Sequence, residues 1–353
     1  MKTLSRTEIS ESDEDIILVL GNDDDVVVLD FLVAELFFPS PSYPFSDISW
    51  TVFVPSADAT VTSGAGNDSI TITDVNDADV DTGDGDDEVS ITHSDLEAEI
   101  IADFGYTYFL TLPSGVTQLS TGAGDDAAFI EGAMRADISM GEGSDELTVS
   151  FASYRFDPSG LGLLEELIEY SSHGLIDLGG GHDIADISFA GAINLRAGWG
   201  HDTISISHGI DYLLEYADGF TFTEEKPSGT SRVLAGSGND NVTIEGALTS
   251  WVSGGRGDDS ITVTHGVKYD TQYDWSSGLF ELYEAVATSR IYGGEGDDLI
   301  TVSDAHTSVI FGGAGSDAFA IAVTNLGNGS TYTVADFTEE DTLVFHSTVA
   351  TSL

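Results

Sequence analysis

Short runs in which polar and apolar residues alternate recur along the chain. Examples are Ser69-Ile70-Thr71-Ile72, Glu88-Val89-Ser90-Ile91, Glu146-Leu147-Thr148-Val149, Asn241-Val242-Thr243-Ile244 and Ser260-Ile261-Thr262-Val263. A period of two, rich in β-branched residues, predicts strands with one buried face. Each run follows a glycine turn. A second, weaker run closes the interval before the next turn, as Thr307-Ser308-Val309-Ile310-Phe311 does ahead of Gly312. The predicted unit is turn, strand, turn, strand. No apolar run reaches the ~18 residues of a membrane-spanning helix; the densest, Val26 to Phe38, is broken by Asp30 and Glu35.

The turns follow a fixed ruler. Gly-x-Gly-x-Asp supplies Gly64, Gly66 and Asp68, then Gly83, Gly85 and Asp87, nineteen residues later. The same spacing joins Gly122, Gly124 and Asp126 to Gly141, Gly143 and Asp145, and joins Gly179, Gly181 and Asp183 to Gly198, Gly200 and Asp202. It recurs from Gly236, Gly238 and Asp240 to Gly255, Gly257 and Asp259, and from Gly294, Gly296 and Asp298 to Gly313, Gly315 and Asp317. Gly21 with Asp25 is a degenerate copy in which Asp23 replaces the second glycine. Successive pairs lie 57 or 58 residues apart. Self-similarity at a fixed period means a repeat architecture. The expected fold is all-β, a parallel β-solenoid of coils of about nineteen residues stacked ~4.8 Å apart.

Three such coils fit each 57–58-residue module. The third carries turn dipeptides in place of the motif: Asp103-Phe104-Gly105, Asp157-Pro158-Ser159-Gly160, Asp218-Gly219 and Asp274-Trp275-Ser276-Ser277-Gly278. The alternative is a hairpin projecting from a two-coil unit. A third coil is preferred, because these turns fall near the ruler and Pro-Ser-Gly recurs at 113–115 and 227–229. About seventeen coils would give a rod ~80 Å long. Aromatics concentrate in the third segments, among them Tyr106, Tyr108, Phe109, Tyr154, Phe156, Tyr170, Tyr212, Tyr216, Phe220, Phe222, Tyr269, Tyr273, Trp275, Phe280 and Tyr283. Residues 1–63 read as N-terminal capping coils, 64–331 as the repeat region and 332–353 as a C-terminal cap.

Composition sharpens the chemistry. The 353 residues hold 62 Asp+Glu against 10 Lys+Arg, a formal net charge of −52, with 41% hydrophobic residues, 40 Gly and no Cys. Ten cations cannot build a nucleic-acid-binding face. Disulfides and cysteine zinc sites are ruled out. Stacked turns would bring the motif carboxylates ~5 Å apart, which is repulsive unless a cation lies between them. Glycine permits positive φ and lets carbonyl oxygens crowd inward. An oxygen-only donor set of carboxylates and carbonyls suits Ca²⁺, which takes about six to eight such ligands, whereas Mg²⁺ retains its waters. The motif glycines and aspartates are therefore the candidate metal-binding residues.

The pattern resembles the RTX, or hemolysin-type, calcium-binding repeats of the form Gly-Gly-x-Gly-x-Asp-x-U-x, where U is bulky and apolar. The best matches are Gly254-Gly255-Arg256-Gly257-Asp258-Asp259-Ser260-Ile261-Thr262 and Gly293-Gly294-Glu295-Gly296-Asp297-Asp298-Leu299-Ile300-Thr301. The segment Ala335-Asp336-Phe337-Thr338-Glu339-Glu340-Asp341-Thr342-Leu343 is similar to the one that follows such repeats in exported members. The resemblance covers roughly residues 64–345. It implies a right-handed parallel β-roll with calcium between successive turns, held by Asp carboxylates and turn carbonyls. With one complete inter-turn site per module, five sites are expected, and Asp103, Asp218 or Asp274 could complete partial ones. Here only one edge carries the motif, a form similar to the nineteen-residue calcium repeats of ice-binding adhesins. The slot that carries Thr in those repeats instead holds Ala65, Asp84, Ala123, Glu142, Gly180, Trp199, Ser237, Arg256, Glu295 and Ala314.

Other features read as structural. His182 and His201 share a turn slot and would stack, but two ligands are too few for a transition metal. His93, His208 and His265 share another slot in different modules. Arg256-Gly257-Asp258 lies inside a motif turn. Thr71, Ser90, Thr148, Ser205, Thr243, Thr262 and Thr301 form an outward column interrupted by Phe129, Asp186 and Ala320. His-Glu-x-x-His and Gly-x-Ser-x-Gly are both absent from the sequence, and catalysis is not expected. Charge repulsion would keep the chain extended where calcium is scarce, and calcium would fold it outside the cell. Met1 to Arg6 leads into acidic residues, so secretion is expected without an N-terminal signal peptide, by the type I route the resemblance implies, with its signal within residues 332–353. The expected role is a self-assembling extracellular filament, sheath or surface-layer component. The alternative is an adhesin or matrix module whose aromatic bands bind polysaccharide.

Overall fold

The computed structural model describes residues 2–6, 16–20, 25–30, 33–39, 49–55, 58–94, 96–102, 106–112, 115–157, 166–169, 172–217, 220–227, 229–266, 269–274, 279–284, 287–323 and 330–347. The protein is all-β, with no helix among the described residues. Its strands form a 23-stranded sheet of parallel pairings and a separate 10-stranded sheet of antiparallel ones.

The parallel sheet consists of two ladders that meet at the glycine turns. Strands leaving a turn make an outbound ladder, for example Ser69–Val75, Glu88–His93, Ala127–Ser139, Glu146–Phe151 and Ile184–Ala190 in succession. Strands arriving at the next turn make an inbound ladder. It runs through Ile16–Val19, Ala59–Thr62, Asp77–Asp81, Gly115–Ser120, Ala127–Ser139 and His173–Asp177. It continues through Ala192–Trp199, Gly229–Ser237, Asn241–Arg256, Thr288–Glu295, Thr307–Ala314 and Thr331–Val334. Alternation decides what is buried. Ile70 and Ile72, Val89 and Ile91, Leu147 and Val149, and Ile261 and Val263 all point inward at 1% exposure or less, facing Val61, Val80, Leu195 and Val252 of the other ladder.

Five outbound strands end at a corner residue with positive φ before the chain enters the inbound ladder: Asp74, Gly132, Phe189, Gly246 and Asp304. The corner is so tight that Ala127–Ser139 and Asn241–Arg256 each pass through it as a single bulged strand. The second coil behaves differently. After His93, Phe151, His208 or His265, the chain leaves the ladder and makes an antiparallel hairpin. These hairpins are Leu96–Ala102 with Tyr106–Leu112, Tyr154–Asp157 with Glu166–Glu169, Ile210–Ala217 with Phe220–Pro227, and Tyr269–Asp274 with Leu279–Glu284. Together with Val33–Pro39 and Ser49–Pro55 they make up the 10-stranded sheet.

The preferred third coil is thus corrected to a hairpin. Ala127 pairs with Glu88 directly across 39 residues, so the ladder closes as if the intervening segment were absent. The reason is local. Lacking Gly-x-Gly-x-Asp, these segments have no turn that can stack on its neighbours, and a hairpin satisfies their backbone within itself. Among the described residues the inbound ladder therefore has twelve rungs, spanning roughly 53 Å at ~4.8 Å per rung. Asp103-Phe104-Gly105, Pro158-Ser159-Gly160, Tyr170, Asp218-Gly219 and residues 275–278 lie outside the described residues, as do Gly21 and Asp23 of the degenerate copy. Both ladders run through the expected boundaries at 63/64 and 331/332.

The histidines after the second coil are buried posts at the hairpin necks. His93 places Nδ1 2.9 Å from the Asn76 carbonyl and Nε2 2.6 Å from Thr117 Oγ1. His208 repeats this with the Ala190 carbonyl at 2.8 Å and Ser231 Oγ at 2.5 Å. His265 keeps the carbonyl contact, to Ala247 at 2.9 Å, but its buried Nε2 has no partner. Burial lowers the pKa of all three. The His93 ring occupies the space above Gly115 and the His208 ring that above Gly229, where any side chain would overlap them.

Candidate metal centre

With the hairpins set aside in their own sheet, the ten motif turns stack without interruption. Ala65, Asp84, Ala123, Glu142, Gly180 and Trp199 pair in sequence, and Ser237, Arg256, Glu295 and Ala314 continue the column. Glycine is required by geometry. Gly83 and Gly85 have φ of 89° and 141°, and a Cβ on either would land on the carbonyl oxygen of Gly64 or Gly66 in the turn before. Turns this close bond directly to one another: the Asp84 N–H donates to the Gly64 carbonyl at 3.1 Å and the Glu142 N–H to the Gly122 carbonyl at 2.9 Å.

An inner column of carboxylates runs beneath the turns. All ten motif aspartates, Asp68 through Asp317, are only 1–3% exposed. The N–H of each donates to Oδ1 of the next: Asp68 to Asp87 at 2.8 Å, Asp126 to Asp145 at 2.9 Å, Asp183 to Asp202 at 3.0 Å, Asp298 to Asp317 at 3.0 Å. The bonds that cross a hairpin are equally short, such as Asp87 to Asp126 at 2.8 Å and Asp259 to Asp298 at 2.9 Å. The last donor, Asp317, reaches Asp341 at 2.9 Å, so Asp341 occupies the next rung although it lies 24 residues on. Asp336 closes the same end by accepting the N–H groups of Gly312 and Gly313 at 2.9 and 3.1 Å.

An outer column does the same work in solvent, with opposite polarity. Asn67 accepts the N–H of Asp86 at 3.1 Å, Asp125 accepts Ser144 at 2.8 Å, and His182 Nδ1 accepts His201 at 2.8 Å. His201 Nδ1 accepts Asn239 at 2.6 Å, Asn239 accepts Asp258 at 3.0 Å, and Asp297 accepts Ser316 at 2.7 Å. Sequence reasoning missed this column. Its signal was present, because the residue before the motif Asp is Asn, Asp, Ser or His in every turn.

The two columns separate two demands. Accepting an N–H is met outside by four residue types. Inside, only Asp appears, so a hydrogen-bond ladder alone does not explain the inner choice. What distinguishes Asp is the second carboxylate oxygen. Oδ2 of Asp87, Asp126, Asp145, Asp183, Asp202, Asp240, Asp259 and Asp298 is buried with no hydrogen-bond partner. Thr82 and Thr121 stand beside Asp87 and Asp126 but donate their hydroxyls to the carbonyls of Thr121 and Met140. An unpartnered buried carboxylate oxygen is costly. Accordingly burial pushes the Asp183, Asp259 and Asp298 carboxyls up to about 7 and those of Asp87, Asp126 and Asp240 up to about 6. Asp145, Asp202 and Asp317 are raised for the same reason. Asp341 is held low by the N–H groups of Asp317 and Thr338.

Ten stacked turns leave nine intervals, not five, because the hairpins do not interrupt the column. Of the residues expected to complete partial sites, Asp274 ends a strand of the antiparallel sheet, and Asp103 and Asp218 lie outside the described residues. His182 and His201 do stack, with ring centroids 5.0 Å apart and planes 4° from parallel. Among the described residues no three His, Asp or Glu side chains converge as a metal-binding group. Arg256 pairs with Glu295 at 3.3 Å on the surface. The Thr/Ser column lies in register, interrupted as expected by Phe129, Asp186 and Ala320. Searches with this chain found no matching family model, no matching curated protein and no matching solved structure.

Proposed function

We propose that this chain is a calcium-dependent, RTX-like β-roll whose turns bind Ca²⁺ between successive coils, and that calcium binding drives its folding outside the cell. The observation that carries the reading is the inner column: buried carboxylates with one oxygen hydrogen-bonded and the other facing no donor. That donor set, hard oxygen with no nitrogen or sulfur, fits Ca²⁺ and offers soft metals nothing. The motif aspartates would supply the charge and the glycine carbonyls the neutral ligands, with up to nine ions along the column. Neutralising buried acids converts binding energy into folding energy. At −52, the calcium-free chain repels itself.

Repeats and hairpins account for nearly all the described residues, which favours a structural, self-assembling extracellular protein. Polysaccharide binding is the second reading, supported by the aromatic residues collected in the 10-stranded sheet. Circular dichroism with light scattering, from chelator into calcium with magnesium as control, tests the proposal. The expected result is a cooperative gain of β signal with calcium alone, followed by rising scatter. A chain already fully ordered in chelator contradicts it, and retention of non-assembling monomers on a glycan column favours the second reading.

A further inference from the structure

Two outward columns of the inbound ladder separate acids from arginines along the rungs. Counting Ile16–Val19 as the first of its twelve rungs, one outward column carries Asp79 on the third rung, Asp137 on the fifth, Arg232 on the eighth and Arg290 on the tenth. The neighbouring column carries Asp177 on the sixth rung and Arg196 on the seventh. All three arginines are exposed, in a chain with only 10 Lys+Arg. Trp251 lies between Arg232 and Arg290 on the ninth rung, with the Arg232 guanidinium 4.8 Å from its ring centre. In these two columns the acids lie on rungs three to six and the arginines on rungs seven to ten, while the next outward column carries Arg135 on the fifth rung, opposite Thr230 on the eighth in a reversed order.

A two-fold rotation about an axis parallel to the strands reverses the rung order and leaves each column facing itself, so rung n meets rung 13 − n. With the axis between the sixth and seventh rungs, the midpoint of the ladder, Arg290 meets Asp79, Arg232 meets Asp137 and Arg196 meets Asp177. Each contact occurs twice. Asp81 on the third rung meets Tyr292 on the tenth, so in these two columns no acid faces an acid. One register thus pairs every arginine of the two columns with an aspartate.

We infer that a second copy of this chain docks on this face, antiparallel and in full register, as an isologous dimer. Such symmetry is the commonest solution for identical chains. Twelve rungs by ~14 Å of strand give roughly 750 Å² per copy and about 1,500 Å² in total, the size of a stable interface. Faces packed ~10 Å apart leave room for an extended arginine to reach a short aspartate. The pairing specifies the contact used in the self-assembly proposed above, and rests on that reading only in requiring a chain folded in calcium.

Sedimentation velocity in millimolar calcium tests it. The native chain should sediment as a dimer whose affinity falls with salt. Arg196→Asp/Arg232→Asp/Arg290→Asp should weaken pairing by about tenfold or more, and adding Asp177→Arg/Asp79→Arg/Asp137→Arg to the same chain should restore it. A folded native monomer, or a dimer indifferent to the triple reversal, overturns the pairing. Circular dichroism on the same samples keeps the two readings apart. An ordered chain that remains monomeric overturns the dimer alone, whereas an ordered dimer that survives chelator supports the pairing and removes its dependence on calcium.

Discussion

The inner and outer columns of the glycine turns make the same hydrogen bond in two environments. Outside, Asn239, Ser144, His182 and Asp258 are interchangeable acceptors or members of one solvated row. Inside, the acceptor is Asp in all ten bonds, and the nine motif acceptors from Asp87 to Asp317 are 1–3% exposed. Backbone geometry therefore dictates an acceptor but not a charge. Asp shares the outer row with Asn, Ser and His, whereas inside it is invariant and its second oxygen is buried, and the calcium proposal rests on that difference.

The largest expected effect is on the turn itself. Gly141→Ala forces a side chain into positive φ and onto the Gly122 carbonyl, so it should cost on the order of 3 kcal/mol in calcium, read as a lower thermal midpoint. Next comes a change whose sign depends on calcium. Asp259→Asn keeps the Oδ1 acceptor but loses the charge. In calcium it should destabilise by about 3 kcal/mol, whereas in chelator it should stabilise, since a buried unpaired charge is gone. Destabilisation of equal size in both conditions would reduce the inner column to a hydrogen-bond ladder. The isosteric outer change Asp258→Asn should shift either midpoint by no more than about 0.5 kcal/mol.

Acidity sharpens the contrast. Motif carboxyls raised to about 6 or 7 in the folded chain bind protons there more readily than when unfolded. Residual calcium-free structure should therefore gain stability as pH falls from about 7.5 toward 5. Calcium affinity should fall over the same window, because protons compete for the same oxygens. The buried histidines oppose the first trend below about pH 6.5, since their lowered pKa favours the unfolded chain there. A smaller effect separates the hairpin necks. Thr117→Val leaves His93 Nε2 without its partner and should cost about 1–2 kcal/mol. Ser289→Ala at the neck of His265 should cost less, because Ser289 bonds Ser308 and not the ring.

The parallel ladders and the glycine turns were legible because each rests on a local rule: alternation at Ile70 and Ile72, positive φ at Gly83 and Gly85. The hairpins were not. A twenty-residue hairpin and a nineteen-residue coil advance the chain by nearly the same count, and only the pairing of Glu88 with Ala127 distinguishes them. Asp341 was hidden by its spacing of 24 residues. The outer column escaped notice because its rule is a shared acceptor function spread over four residue types.

Calcium binding measured by equilibrium dialysis tests the central claim most directly. The account predicts several ions per chain, approaching one for each of the nine intervals, with binding reduced by Asp259→Asn and unchanged by Asp258→Asn. No bound calcium above background, or the same stoichiometry with Asp259→Asn as with the native chain, would contradict it.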